Sequence, residues 1–284
     1  MKAQELLAFL SIKYKGDFVK MLEAMKNHER VDEKVLTETL SKCKEKYITV
    51  LDEGFPQRLK NIYKAPIILW YRGDISLIND NAKRYLSVAG TRDLSDYGRI
   101  STAKIIEGVC KDKNAPIIVS GLAKGVDTIA HARSIYTMNS NSKTIAVVGN
   151  GLDMCYPLEN ASLQEDIIKS GGLVISEYPN GVAPEPNHFP MRNRIIAGLG
   201  DVLFVPEGKI KSGTAITCSF AKNDGKKVLA IPHLITEKED LSNLLIKCGD
   251  AELVQDADDI LSHLPLVNVK NVKKHLDKGV ELNR

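Results

Sequence analysis

The sequence is short of most features that would assign it to a familiar chemical class. Its five cysteines, Cys43, Cys110, Cys155, Cys218 and Cys248, are odd in number and widely spaced, with neither a CxxC pair nor a Cys/His cluster. That pattern excludes a disulfide framework and a zinc ribbon and leaves reduced, mostly buried thiols. His131, His188 and His233 stand apart and HExxH is absent, so no metal site is offered. No apolar run approaches the roughly 20 residues of a membrane span. The start, MKAQELLAFLSIKYKGD, is interrupted by charge too early for a signal peptide. A cytoplasmic protein without membrane attachment is expected. Charge of one sign is also lacking: 39 Lys and Arg face 36 Asp and Glu, a net +3. Any polyanion site must therefore come from local placement rather than a global field. GxxxxGK[ST] and GxGxxG are both missing, which weakens the P-loop NTPase and dinucleotide readings.

The composition is that of an ordinary soluble globular protein, and the length suits two domains. Residues 1–50 read as a helical module, since ELLAFLSIKYKG, FVKMLEAMKNHE and DEKVLTETLSKCKEKY space their apolar residues helically. Acids interleave its lysines, which favours a solvated face over a nucleic-acid patch. Residues 51–80 read as a connector packing on the core, with Pro56 and Pro66 as breakers and the apolar IILWY before an Arg72-Gly73-Asp74 turn. Trp70 and Tyr71 beside Ile67, Ile68 and Leu69 are read as core rather than as a stacking surface.

Residues 81–264 alternate strand and helix, which predicts an α/β fold with a parallel sheet and crossover helices. The expected strands are RYLSVAG, PIIVSG, TIAVVGN, GLVISEY, DVLFVPE and KVLAIP, with a short AELV from Ala251. Residues 265–284 form a basic tail. In such sheets ligands bind where the strand ends release into loops.

Those loops carry the candidate site. GTRDLSDYGR brings Arg92, a bidentate phosphate donor, and SGLAKGVDTIAH brings Ser120 and Gly121 with Lys124 at a helix start. GNGLDMCYP supplies Gly151, and GKIKSGTAIT supplies Lys211, Ser212, Gly213 and Thr214 at another helix start. PEPNHFPMRNR reads as a loop stiffened by Pro186 and Pro190, presenting Phe189 beside Arg192, Asn193 and Arg194. An aromatic held near arginines is what single-stranded nucleic acid needs. The other use of the same residues is structural, with Phe189 plugging the core and Arg194 pairing with Glu177 or Asp201. Glu177, Asp127 and Asp153 are placed to act as bases or to cap and pair, and capping or pairing is the simpler use. No constellation demands turnover.

At these loops the chain resembles the DprA/Smf family of DNA-processing proteins. The signatures are VAGTRDLSDYGR, VSGLAKGVDTIAH, TIAVVGNGLDMCYP, ISEYPNG, FPMRNRIIAGL, SGTAIT and KVLAIP, in unbroken order. The resemblance implies an extended Rossmann-like sheet with helices on both faces, preceded by a small SAM-like helical domain, in the short form without a C-terminal winged helix. It also implies a homodimer that binds single-stranded DNA without base specificity and helps load the RecA recombinase during natural transformation, with no cofactor. By motif position Arg92, Ser120, Gly121, Gly151, Phe189, Arg192, Arg194 and Thr214 would line the groove, helped by Lys124 and Lys211. Two stretches depart from the family pattern: VPE stands after the penultimate strand, and PHLITEKEDLSN, rich in acids, follows the last. The rival reading is a nucleotide sensor or a nucleotide hydrolase of the LOG-like fold. Those enzymes carry a catalytic glutamate where this chain has Thr217.

Overall fold

The computed structural model describes residues 2–80, 82–237 and 239–266. Past residue 266 the expected basic tail lies outside the described residues. Three helices come first, α1 (Ala3–Lys13), α2 (Phe18–Lys26) and α3 (Glu33–Ser41). Asp17 and Asp32 start the second and third by accepting first-turn amides on their side chains. Then come β1 (Lys46–Thr49), a 3-10 turn at Gln57–Leu59, and β2 (Ile68–Gly73). The alternating part comprises β3 (Tyr85–Val88), α4 (Asp96–Lys111), β4 (Ile117–Ser120), α5 (Val126–Tyr136), β5 (Thr144–Val148), α6 (Ala161–Lys169) and β6 (Leu173–Ser176). It continues through α7 (His188–Leu199), β7 (Val202–Val205), α8 (Gly213–Asn223), β8 (Lys227–Ala230), α9 (Leu241–Lys247), β9 (Glu252–Leu253) and α10 (Ala257–His263).

The strands form one sheet in the order β1-β2-β6-β5-β4-β3-β7-β8-β9. From β6 to β9 every pair is parallel, whereas β2 runs antiparallel to both β6 and β1. The sheet is thus mixed, because the stretch read as a connector supplies β2, and residues 1–50, expected to be helical, end in β1 after α3 stops at Ser41. IILWY is apolar at every position, and a strand buried on both faces has that pattern in either orientation.

Alternation sorts the strand residues between two layers. Tyr85, Ile117, Val119, Ile145, Val147 and Ile175 pack with Ile195, Ile196 and Leu199 of α7. Leu86, Val88, Ile118 and Phe204 face α4, α5 and α10. The helical module closes over β2 on that second face. Trp70 is buried there, and its Nε1 donates to Ser11 Oγ at 3.1 Å. Trp70 is therefore core, as its apolar neighbours suggested.

β3 is the first parallel strand laid down. From it the chain winds outward through β4, β5 and β6, then returns through α7 to place β7 on β3's other side. The order reverses between β3 and β7, and that switch point opens a crevice at the strands' carboxyl ends.

Candidate functional site

A cleft of about 550 Å³ occupies the switch point. Its walls are the loop leaving β3, the start of α5, the first turns of α7 and the N-terminus of α8, with Tyr156 closing one side. Backbone convergence makes it possible. Thr91 donates its amide to Glu207 O at 2.8 Å, and Val126 donates to Thr91 O at 3.2 Å, which joins the exits of β3 and β7 to α5. Gly90 sits where they meet, since a Cβ there would lie 2.3 Å from Val126 Cγ2 and 2.8 Å from Glu207 O.

One wall is aromatic and cationic. The rings of Phe189 and Tyr156 stack with centroids 5.3 Å apart and planes 28° from parallel. The Arg92 guanidinium lies over Phe189 at 5.3 Å. Phe189 is half-buried, whereas Arg92 and Tyr156 are exposed. Such a stack offers ring faces and a charge together.

The floor is Arg192, which is only 5% exposed. Its Nη1 donates to the carbonyls of Gly121 and Val147, while Nε has no partner among the described residues. A Cβ on Gly121 would come within 2.3 Å of Nη1, so a side chain there would push the guanidinium from its seat. Burial pulls its pKa down to about 10, against the opposing pull of Asp127 and with a further push from Arg92. Arg192 therefore stays charged at neutral pH. Asp127 is held above the usual carboxylate range, chiefly by burial, and accepts the amides of Gly121 and Ala123 at 3.2 Å each. Its carboxylate braces the loop rather than facing solvent. Across the cleft α8 begins, with Ser212 as its cap accepting from Ala215 N. The first amides of a helix have no acceptor within it and attract an anion.

Of the residues expected at the site, Arg92, Phe189, Arg192 and Asn193 line this cleft, together with Ser212, Gly213 and Thr214. Gly121 and Lys124 line a small adjoining hollow of about 50 Å³, where Lys124 is ion-paired with Glu159. Four others are placed elsewhere. Ser120 is fully buried and donates to Val88 O at 2.8 Å. Gly151 is buried against Val182, and Lys211 is exposed but does not line the cleft.

Arg194 is the main correction. Its side chain is 1% exposed and grips Glu177 through two bonds of 2.6 and 2.7 Å. It also donates to Lys64 O at 3.0 Å and Met191 O at 2.8 Å. The stretch read as a stiff loop is the start of α7, with Pro190 in the first turn, where its missing amide costs no helical bond. On a helix, positions two apart point about 200° away from each other. Arg192 faces the cleft and Arg194 faces inward.

Tyr156 was not expected from the sequence. Its signal was position, an aromatic inside the strand-end loop GNGLDMCYP rather than in a strand. The acid-rich stretch after β8 contributes Glu237, Glu239 and Asp240 to a separate hollow of about 200 Å³, which shares Thr91 and Lys209 with the cleft. One flank of the site is therefore negative. No group of metal-ligating side chains occurs among the described residues.

Comparison with known proteins bears on the family and the fold. A family model described as DNA recombination-mediator protein A matches residues 46–265. The chain is 40% identical over 239 residues to the DNA processing protein DprA of Streptococcus pneumoniae, covering 84% of this chain and 80% of that protein. It is 34% identical over 223 residues to DprA of Bacillus subtilis, covering 78% and 72%. The X-ray structure of the S. pneumoniae protein superposes with a TM-score of 0.74 at 38% identity, over 87% of this chain and 82% of that one. A Helicobacter pylori DNA processing protein A, solved for its single-stranded DNA binding mode, superposes with a TM-score of 0.66 at 27% identity, over 76% and 94%.

Proposed function

The chain belongs to the DNA recombination-mediator protein A family, and from that premise we propose that its cleft holds single-stranded DNA without reading the bases. The observation that carries this reading is the stack of Arg92, Phe189 and Tyr156 over a buried Arg192 and opposite the start of α8. Ring faces accept any base, while Arg92, Arg192 and the helix start accept the phosphates between them. None of these groups forms a donor and acceptor pattern that would select one base.

In this reading the protein is a recombination mediator that protects incoming single strands and helps load RecA during natural transformation, in the cytoplasm. It acts by binding, without a cofactor or a catalytic residue. Two copies pair, which fits the sheet ending on β9 with Leu253 half-exposed on that edge strand. No helix among the described residues is long and apolar enough to cross a membrane. The hydrolase alternative needs a carboxylate where Thr217 stands. Thr217 Oγ1 donates instead to Gly213 O at 3.0 Å.

Fluorescence anisotropy with a labelled poly-dT oligonucleotide across a salt series tests the proposal. The parent should bind with an affinity that falls as salt rises, and Arg92→Ala should bind more weakly. Absence of binding at low salt, or release of free base from nucleoside monophosphates, would move the function to a small nucleotide.

A further inference from the structure

A second aromatic surface lies outside the cleft. Tyr63 is 56% exposed, and its ring stacks on Phe220 with centroids 6.0 Å apart and planes 22° from parallel. Lys64 places its ammonium 5.4 Å from the centre of the Tyr63 ring. The backbone at Lys64 has φ +47°, a left-handed conformation that a side chain other than Gly, Asn or Asp seldom adopts. Arg194, fixed on Glu177 through Nη1 and Nη2, donates from Nε to the Lys64 carbonyl at 3.0 Å. A buried ion pair thus fixes the bend that carries Tyr63 and Lys64.

The position of Phe220 connects this surface with the cleft. Gly213 lines the cleft, and Phe220 comes seven residues later on α8. Seven residues are close to two turns, so both lie on one face of the helix, about 10 Å apart. Ile216, exposed between them, continues the stripe. Asn193 Nδ2 donates to Gly213 O at 3.2 Å and ties this face to the cleft wall.

We propose that Tyr63, Phe220 and Lys64 form a second stacking subsite, which receives the single strand as it leaves the cleft past the start of α8. The inference rests on the single-strand reading of the cleft and extends it. A strand leaving on the other flank would meet Glu237, Glu239 and Asp240. Leaving along α8 it meets two rings and a cation, the same pairing of stacking face and phosphate partner found inside the cleft.

The test compares parent and Tyr63→Ala proteins on labelled poly-dT of about 6 and about 20 nucleotides, lengths within and beyond the roughly 4–16 nucleotides that one single-strand site covers. Tyr63→Ala should bind the 6-mer as the parent does and the 20-mer about tenfold more weakly, with Tyr63→Trp restoring the difference. Lys64→Gln should reduce the salt slope for the 20-mer by about 0.7 and leave the 6-mer slope unchanged. Equal binding of the 20-mer by parent and Tyr63→Ala overturns the subsite while leaving the cleft reading intact. Equal loss on both lengths also overturns it, since the ring would then act through the fold. A parent that binds neither oligonucleotide removes the single-strand reading and the subsite with it.

Discussion

Changing Glu177 to Gln tests whether the second arginine of the motif is structural. In the parent, Arg194 is almost fully enclosed and Glu177 is 13% exposed by its side chain. Removing one partner of a buried pair typically costs about 3–5 kcal/mol, because the remaining charge is left in a low dielectric. Here Arg194 keeps the carbonyls of Lys64 and Met191 as acceptors, which places the cost at the low end, about 3 kcal/mol. A chain of this size has a urea slope near about 3 kcal/mol/M, so the midpoint should fall by about 1 M. The fluorescence of the lone, buried Trp70 reports the transition, and far-UV circular dichroism checks that both probes coincide. Binding of a 6-mer by the folded variant should match the parent, since Arg194 does not line the cleft. A midpoint shift under about 0.2 M at unchanged slope would refute the structural role. A loss of 6-mer binding with no loss of stability would return Arg194 to the DNA.

Other changes separate the parts of the cleft. Gly121→Ala drives a Cβ into the Arg192 guanidinium, and should weaken oligonucleotide binding about tenfold while the far-UV spectrum is retained; unchanged affinity would show that the seat of Arg192 on Gly121 does not set the affinity. Phe189→Ala should remove about 1–3 kcal/mol of binding at every salt concentration, whereas Arg92→Ala should also flatten the salt dependence by about 0.7. Tyr156→Ala should resemble Phe189→Ala rather than Arg92→Ala, and a change in its salt slope would count against a stacking role. His131 is fully enclosed, and burial, reinforced by nearby Arg192, pushes its pKa down to about 3. The unfolded chain then binds the extra proton between about pH 6.5 and 3, so this group's contribution is intact above 6.5 and is lost as pH falls through that window. Urea midpoints of parent and His131→Asn at pH 7 and 5 should diverge, with the parent losing more, and parallel curves would exclude His131 as the source.

The sheet was legible because burial on two faces writes long apolar runs, and five of the six ended in Gly-bearing loops that the structure gathers at one edge. β2 carried the same kind of run, but with no helix between it and a parallel partner, so it looked like a connector. Its antiparallel pairing with β6 goes with the tertiary contacts of Trp70 with the helical module, at a separation no local pattern records. Ser120 illustrates a different limit. A hydroxyl at a strand end reads the same whether it faces a ligand or closes a bond inside the sheet, and here it closes one with Val88.

The two arginines of HFPMRNR show why residue type alone does not place a site. Read as a loop, the stretch lets both arginines face one way, and Pro190 supports that reading. Read as a helix start, it cannot, because two residues advance the side chain by about 200°. Pro190 is compatible with both, since a first-turn amide has no helical acceptor to lose. Helical spacing across the rest of α7 decides between them: Arg192, Ile195, Ile196 and Leu199 keep it, and the last three enter the core on β3 and β5. The core therefore sets the rotation of α7, and the rotation divides the pair. Arg192 becomes the charged floor of the cleft, and Arg194 is turned under the chain to hold Glu177 and the Lys64 carbonyl. In the subsite proposed above, that second arginine acts at one remove, since the bend it fixes presents Tyr63 and Lys64 beside α8.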